Sequence, residues 1–554
     1  MLWYKKIWII TFITLLIGLQ LFGGTTGKIT GNVVDAESGL PLPGANVLIE
    51  GTVLGGAADL EGYFAILNVT PGSYTVRVSM IGYEDVVVQD VIVKIDLTTT
   101  QRITMRTAAI GLEEVVVVAK RPVIARDVSA SESNIEAKKM ESMPITSVTD
   151  VIGLQAGVQG LSIRGGDSRQ TAFIVDGFIQ ADERSNIPIT IVSLTTIQEV
   201  KIQTGGFNAE YGNIRSGVIN IVTREGDKNH YTGAISLNIR PPKQKYFGNS
   251  VYATDSYFMR SYLDPEVCYS GTNSGAWDQH TQEQYPNFAG WDFVSQSTLL
   301  DSDPSNDLTP EGAMRLFKWQ HRRQGDIKRP DYVVDAGFGG PVPYVGDLLG
   351  GLRFYASYRE TQEMFIIPLT RDNYKENVGR VKLTSDLTRD MKLTLTGQYG
   401  EERSSSPYAW TTTPTGSVLR SDYEIADAAR AELLYMPGWY SPAAVYRTML
   451  GAQFNHILSS KTYYEINIQH SINRYDTREM ALRDTSKVIE VLPGYYVDEA
   501  PYGFWGYSVG SVGDNIILGG WMNLGRDKSI ISTTQMRFDY VSQLNKRNQF
   551  KSGL

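Results

Sequence analysis

After Gly226 the chain alternates apolar and polar side chains residue by residue, and this limits the folds open to it more than any other feature. Ile235, Leu237 and Ile239 alternate with Ser236 and Asn238; Leu352, Phe354, Ala356 and Tyr358 with Arg353, Tyr355, Ser357 and Arg359; Tyr464, Ile466 and Ile468 with Glu465, Asn467 and Gln469. Successive strand residues face opposite sides, so each run has one face fit for lipid and one for water. Short connectors near Pro341–Gly350, Leu387–Met391, Ile457–Lys461 and Leu544–Asn548 alternate with mostly much longer ones at Pro241–Asp331, Thr361–Glu376, Glu402–Ser441 and Asp476–Ile531. Short turns on one side and long loops on the other are the expected layout of a membrane barrel. The pattern gives eight strands and the start of a ninth at Phe550.

The amino terminus points to export. Lys5 and Lys6 precede a nearly unbroken apolar run, Ile7 to Phe22, and Gly23-Gly24-Thr25-Thr26-Gly27 supplies small residues, the layout of a secretory signal peptide over residues 1–24. The run is shorter than the ~20 apolar residues a spanning helix needs. No other stretch could cross a bilayer as a helix, so a membrane protein of this sequence must be a barrel.

Residues 28–106 hold strand-length runs, among them Ile29–Asp35, Ala45–Ile49, Tyr63–Ile66, Tyr74–Ser79 and Val86–Val88, separated by Gly, Pro and Asp turns. Seven or so strands in so short a segment argue for a small β-sandwich. Leu112-Glu113-Glu114-Val115-Val116-Val117-Val118 follows, ahead of Arg121-Pro122, and reads as an extended strand with no partner in its own chain. An exposed strand of this kind invites pairing with another protein, although the valines could instead be the last strand of the sandwich.

The next segment carries three short motifs in order. Leu161-Ser162-Ile163-Arg164-Gly165-Gly166 leads to Phe173-Ile174-Val175-Asp176-Gly177 and then to Tyr211-Gly212, with Gly217-Val218-Ile219-Asn220-Ile221 behind it. Each is a β-branched run closed by Gly or Asp-Gly, hence compact strands joined by tight turns. In this order they resemble the plug domain of TonB-dependent outer-membrane receptors, with Arg215-Ser216 departing from the small residues that relatives often carry before Gly217. Gly39–Ala45, Asp59–Phe64 and Ile81-Gly82-Tyr83 resemble the carboxypeptidase-regulatory-like domain, a transthyretin-like sandwich that leads many such receptors.

The resemblance implies a mainly β chain: signal peptide 1–24, sandwich 28–106, TonB box and linker 111–122, plug 123–226, and a partial transmembrane antiparallel β-barrel over 227–554. Plugged transporters have ~22 strands, and an eight-stranded barrel has no room for a plug. Relatives also usually end on an aromatic residue, whereas this chain ends Lys551-Ser552-Gly553-Leu554, so the barrel is expected to be incomplete at its carboxy terminus. Leu112 to Val118 is expected to act as the TonB box, because a strand added to a partner's sheet edge gains main-chain hydrogen bonds that transmit a pull. Within the plug, Thr146–Leu154 is expected to form a short capped helix, and Arg164, Asp176, Glu210 and Arg215 need partners, with wall carboxylates expected opposite the arginines.

Other chemistry is weakly supported. The lone Cys268 excludes an intramolecular disulfide framework, and the five histidines are too scattered for a sequence-local metal site. Asp301–Asp307 resembles a calcium loop but lacks the turn glycine and a correctly spaced glutamate, so neither metal nor cofactor is expected. A net charge of −8 without a basic face argues against nucleic acid. Tyr252, Tyr257, Tyr262, Trp277, Tyr285 and Trp291 crowd the first long connector, where they could stack on a ligand or pack the loop. An energised importer is expected in the outer membrane, with the sandwich and TonB box periplasmic. Its partners would be an inner-membrane TonB-type protein, outer-membrane lipid, an unnamed small or oligomeric ligand such as an iron chelate, cobalamin, glycan or peptide, and a surface lipoprotein where one exists. The alternatives are a binding or adhesion protein on the same barrel and, more weakly, an enzyme, for which no nucleophile, base or metal site is assembled.

Overall fold

The computed structural model describes residues 24–108, 115–118, 131–206, 214–245, 247–300, 302, 307–321, 328–366, 369–406, 418, 440–479, 484–492, 495–499, 525–545 and 548–553. Residues 1–23 of the expected signal peptide, Leu112 to Glu114, Glu210 to Gly212 and most of Asp301–Asp307 lie outside these residues. Among them no helix is long and apolar enough to cross a membrane.

The leading domain is a sandwich of a three-stranded and a five-stranded sheet. Gly27–Asp35 lies between Tyr63–Val69 and Thr98–Met105 in the first, and Ile29, Val33, Phe64 and Met105 pack with Val47, Val76 and Val91 of the second. Gly31 is needed in the middle strand of the first sheet, since a Cβ there would lie 2.1 Å from the carbonyl oxygen of Gln101 on the neighbouring strand. The valine strand departs from expectation. Val115–Val118 pairs in parallel with Val86–Val93, matching Val87 to Val116, and forms the edge of the five-stranded sheet. That sheet would otherwise end in unpaired amides, and four consecutive valines in extended conformation satisfy them.

The plug is built on a mixed five-stranded sheet in which Thr171–Val175 runs parallel to Gly217–Thr223, flanked by Ile197–Gly205 and Ser131–Glu136. The expected capped helix forms at Val148–Gly153. The Ser147 hydroxyl accepts from the Asp150 amide at 3.2 Å, and the Asp150 carboxylate accepts from the Ser147 amide at 2.8 Å.

The wall is one nine-stranded antiparallel sheet whose neighbours follow chain order: Thr232–Arg240, Asp331–Pro341, Arg353–Met364, Asn373–Asp386, Met391–Ser405, Pro442–Ser459, Thr462–Thr477, Ile530–Gln543 and Gln549–Gly553. Glu465, Asn467 and Gln469 are buried toward the plug while Ile468 is 42% exposed on the outer face. The leading domain meets the short-turn rim, with Lys461 Nζ 3.8 Å from Asp59 Oδ2.

The first long connector is a small helical cap rather than an open loop. Arg260–Leu263, Gln279–Gln284, Trp291–Leu299 and Pro310–Gln320 enclose Tyr262, Phe288, Trp291 and Phe317, and the Trp291 Nε1–H donates to the Tyr262 carbonyl at 2.8 Å. Tyr262, Trp277 and Trp291 are buried, so packing explains half of the aromatic crowd, whereas Tyr257 stays exposed.

Ile468→Lys puts a charge on the outer face and should weaken folding into lipid vesicles by about 2–4 kcal/mol, with Ile468→Leu near neutral. Urea titration in vesicles measures this, and equal midpoints for the two variants would remove Ile468 from the lipid face.

Candidate functional site

The plug's tight turns set its charged groups in place. Val175 pairs with Phe178 across Asp176-Gly177, whose φ angles of +50° and +86° belong to the two-residue turn that Asp-Gly favours. Glycine is also required for space, because a Cβ on Gly177 would lie 2.9 Å from an Arg537 guanidinium nitrogen. The turn aims the Asp176 carboxylate at the fourth wall strand. It accepts from the Thr223 amide at 2.9 Å, the Thr223 hydroxyl at 2.6 Å and Lys382 Nζ at 3.1 Å, and it pairs with Arg380. Burial alone would raise its pKa, but Lys382, Arg380 and Thr223 outweigh burial and hold it below the usual aspartate value.

Three further braces join plug and wall. Asp335 on the second wall strand accepts from the Ser193 hydroxyl at 2.6 Å, the Leu194 amide at 2.8 Å and the Thr195 hydroxyl at 2.8 Å, with Arg359 Nη1 at 3.3 Å. Glu225, where the plug passes into the wall, meets Lys392 at 2.6 Å and Arg353 at 3.1 Å; burial opposes its charge, yet these cations and Lys382 bring its pKa down to about 2. Arg184 lies 3.3 Å above the Tyr475 ring and 2.8 Å from Asp527, while the Tyr475 hydroxyl donates to Asp182 at 2.5 Å.

The leading domain is fastened to the other face of the plug sheet. Glu199 accepts from the Ile95 amide at 3.1 Å and from Asn134 at 2.6 Å, and Lys201 lies 3.2 Å from Asp96 and 3.3 Å from Glu132. Burial pushes the Glu199 pKa up to about 7, against the pull of Asn134, the Ile95 amide and Lys94 and with help from Glu136. Asn220, fully buried, donates to the Gly24 carbonyl at 3.0 Å.

The expected residues divide between these roles. Arg164 and Gly165, with φ of +52° and +76°, form a turn closed by the Gly166 amide on the Ile163 carbonyl at 3.0 Å. A Cβ on Gly217 would lie 2.2 Å from the Ile163 side chain, so this glycine lets the two motifs pack. Ser216 binds the same residue through its hydroxyl, which donates to the Ile163 carbonyl at 3.2 Å and accepts from its amide at 3.3 Å. The expectation of wall carboxylates opposite Arg164 and Arg215 is overturned: both are exposed, and among the described residues neither makes an ion pair. The central pair has the reverse polarity, a plug carboxylate against wall cations, because the Asp-Gly turn points outward while the arginine turn does not. Arg380 and Lys382, missed in the sequence, are visible there in retrospect as charges two apart on a strand whose intervening Val381 faces out. Val116 and Val117 of the valine strand are exposed.

Two family models match the chain, the CarboxypepD_reg-like domain over residues 29–117 and the TonB-dependent Receptor Plug Domain over 124–218. The TonB-dependent transporter Oar of Myxococcus xanthus is 26% identical over 245 residues, 41% of this chain and 23% of that one. The TonB-dependent receptor P3 of Formosa agariphila is 27% identical over 36% of this chain and 20% of that one. The TonB-dependent receptor SusC of Bacteroides thetaiotaomicron is 26% identical over 37% and 22%. The matched stretch thus spans about a fifth of the length of these relatives. Among solved structures, the siderophore receptor PirA from Acinetobacter baumannii aligns at 14% identity and a TM-score of 0.37, covering 74% of this chain and 45% of that one.

Asp176→Asn leaves Arg380 and Lys382 buried without their anionic partner and should cost roughly 3–5 kcal/mol, seen as a lower thermal midpoint and faster proteolysis of the plug. Glu199 sets a pH dependence. Its pKa is raised in the fold from 4.5 to about 7, so its contribution is fully present below about pH 4.5 and lost as pH rises through about 7. Cross-linking of the leading domain to the plug should therefore decline from pH 5 to pH 8, and Glu199→Gln should flatten the decline.

Proposed function

As a chain that belongs to the TonB-dependent receptors by its plug and its leading domain, this protein, we propose, is an energised importer of the outer membrane. TonB-dependent receptors work with TonB-type partners, and the plug here supports such work. Among the described residues it is held to the wall by a few directional polar braces centred on Asp176, Asp335 and Glu225, while the apolar core clusters lie within the plug or within the wall. Such braces fix one position, yet they can be exchanged for water, because much of their gain offsets the cost of burying the charges. That character of the plug–wall contact is the observation that carries the reading. Ligand would land on the outer connectors, including the helical cap, and a pull from the periplasmic side would loosen the plug.

The coupling segment in this reading remains Leu112 to Val118. Among the described residues Val115–Val118 forms a sheet edge whose outer side has no strand beside it, and a partner's strand can be added there. The leading domain would then share the load, being hydrogen-bonded to the plug through Ile95 and Glu199. The reading leaves the ligand open among iron chelates, cobalamin, glycans and peptides.

Val116→Pro removes an amide and cannot stay within a paired strand, so it should abolish energy-dependent uptake while leaving ligand affinity at the cell surface within about twofold. Val116→Ala should retain most uptake. Transport by the proline variant at the parental rate would exclude this strand from coupling. Binding without any uptake that responds to the proton motive force, in the parent as well, would make the protein a surface binder instead.

A further inference from the structure

An aromatic row runs along the outer face of the wall close to its short turns. Tyr231 stacks on Phe338 at 5.7 Å, Phe338 meets Phe354 at 5.8 Å, Tyr464 meets Phe454 at 6.3 Å and Phe538 at 5.9 Å, and Tyr540 meets Phe550 at 6.4 Å. Rows of this kind mark the level where hydrocarbon gives way to headgroups.

Past this level the first short turn is unlike the rest. Residues 387–390 are Leu-Thr-Arg-Asp, residues 457–461 Ile-Leu-Ser-Ser-Lys and residues 544–548 Leu-Asn-Lys-Arg-Asn, each with one or two apolar residues and otherwise polar. The turn between the second and third wall strands, residues 342–352, reads Val-Pro-Tyr-Val-Gly-Asp-Leu-Leu-Gly-Gly-Leu and holds one charge, Asp347. Tyr344 is 99% exposed and Leu348 84%, with Val345 and Leu349 about half exposed. Four adjoining apolar side chains turned outward differ from the scattered exposed leucines of ordinary surfaces.

The exposure is built in. The Gly346 amide donates to the Val342 carbonyl at 3.1 Å and the Leu352 amide to the Gly346 carbonyl at 2.9 Å, which closes the neck of the turn. Gly346 has no room for a side chain, since a Cβ would lie 2.4 Å from the Val342 carbonyl oxygen. The Asp386 amide, donating to the Gly350 carbonyl at 2.8 Å, ties the turn to the next one. Tyr344 holds φ at +66°, a conformation unusual for a residue with a Cβ, at the tip.

We propose that residues 342–352 form a lipid-binding foot that seats in the headgroup region of the periplasm-side leaflet. The proposal rests on the membrane-barrel reading above. Lipid is the occupant because the apolar tip continues the wall face that begins at Tyr231, Phe338 and Phe354, while the leading domain meets the rim at a different turn, around Ser460 and Lys461. Seated there, the foot would hold this edge of the wall against an inward pull on the plug.

The test uses single cysteines carrying an environment-sensitive fluorophore in receptor folded into phosphatidylethanolamine–phosphatidylglycerol vesicles, with the buried Cys268 unlabelled. Leu348→Cys probes the foot, Phe354→Cys the aromatic row, and Leu60→Cys an equally exposed leucine of the leading domain. Lipids spin-labelled near the headgroup should quench position 348 at least half as strongly as position 354 and leave position 60 within one-tenth of its unquenched signal. Quenching at 354 but not at 348 would overturn the foot and leave the barrel standing, even if position 348 is shielded from water by a protein contact. Quenching at neither would overturn the barrel reading and the foot with it.

Discussion

A carboxylate buried among cations governs how this molecule is put together. Asp176 is enclosed between the plug sheet and the fourth wall strand, where Lys382, Arg380 and Thr223 outweigh the burial that would otherwise disfavour its charge. Removing one member leaves the others as uncompensated buried charges, so the arrangement is sharply position-dependent even where its net stabilisation is small. The Asp176-Gly177 turn, the parallel pairing of Thr171–Val175 with Gly217–Thr223 and the inward face of the wall all meet at this point.

The same logic extends along the plug–wall seam. Asp335 gathers four plug donors in the turn at Ser193–Thr195, and Glu225 joins the cations of two wall strands where the chain leaves the plug. A seam made of a few such contacts has discrete positions rather than a gradual slide, which suits the displacement proposed for the plug. The leading domain adds a second layer through Glu199 and Lys201, whose burial depends on its docking.

The alternation at Tyr464–Gln469, the Asp-Gly turn and the Ser147–Asp150 helix start were all readable because each depends on neighbours one to four residues away. Arg164 and Arg215 mark the limit of such local information: enclosure implies that a charge needs a partner, but not which turn points at the wall. The valine strand shows the same limit. Its extended form follows from β-branched residues in a row, whereas its partner, Val86–Val93, lies far enough back in the chain that local pattern carries no information about it.

Sequence by itself determined the periodicities, the turns and the order of sandwich, plug and wall, since the period-two alternation and the demands of positive φ are local properties of the chain. Only the tertiary structure decided which charges meet. Arg380 and Lys382 oppose Asp176 across 204 and 206 positions of sequence, and Glu199 reaches the Ile95 amide across 104. Such pairings follow from how strands register around the plug and where the leading domain docks, and a buried charge takes whichever partner that packing brings within reach.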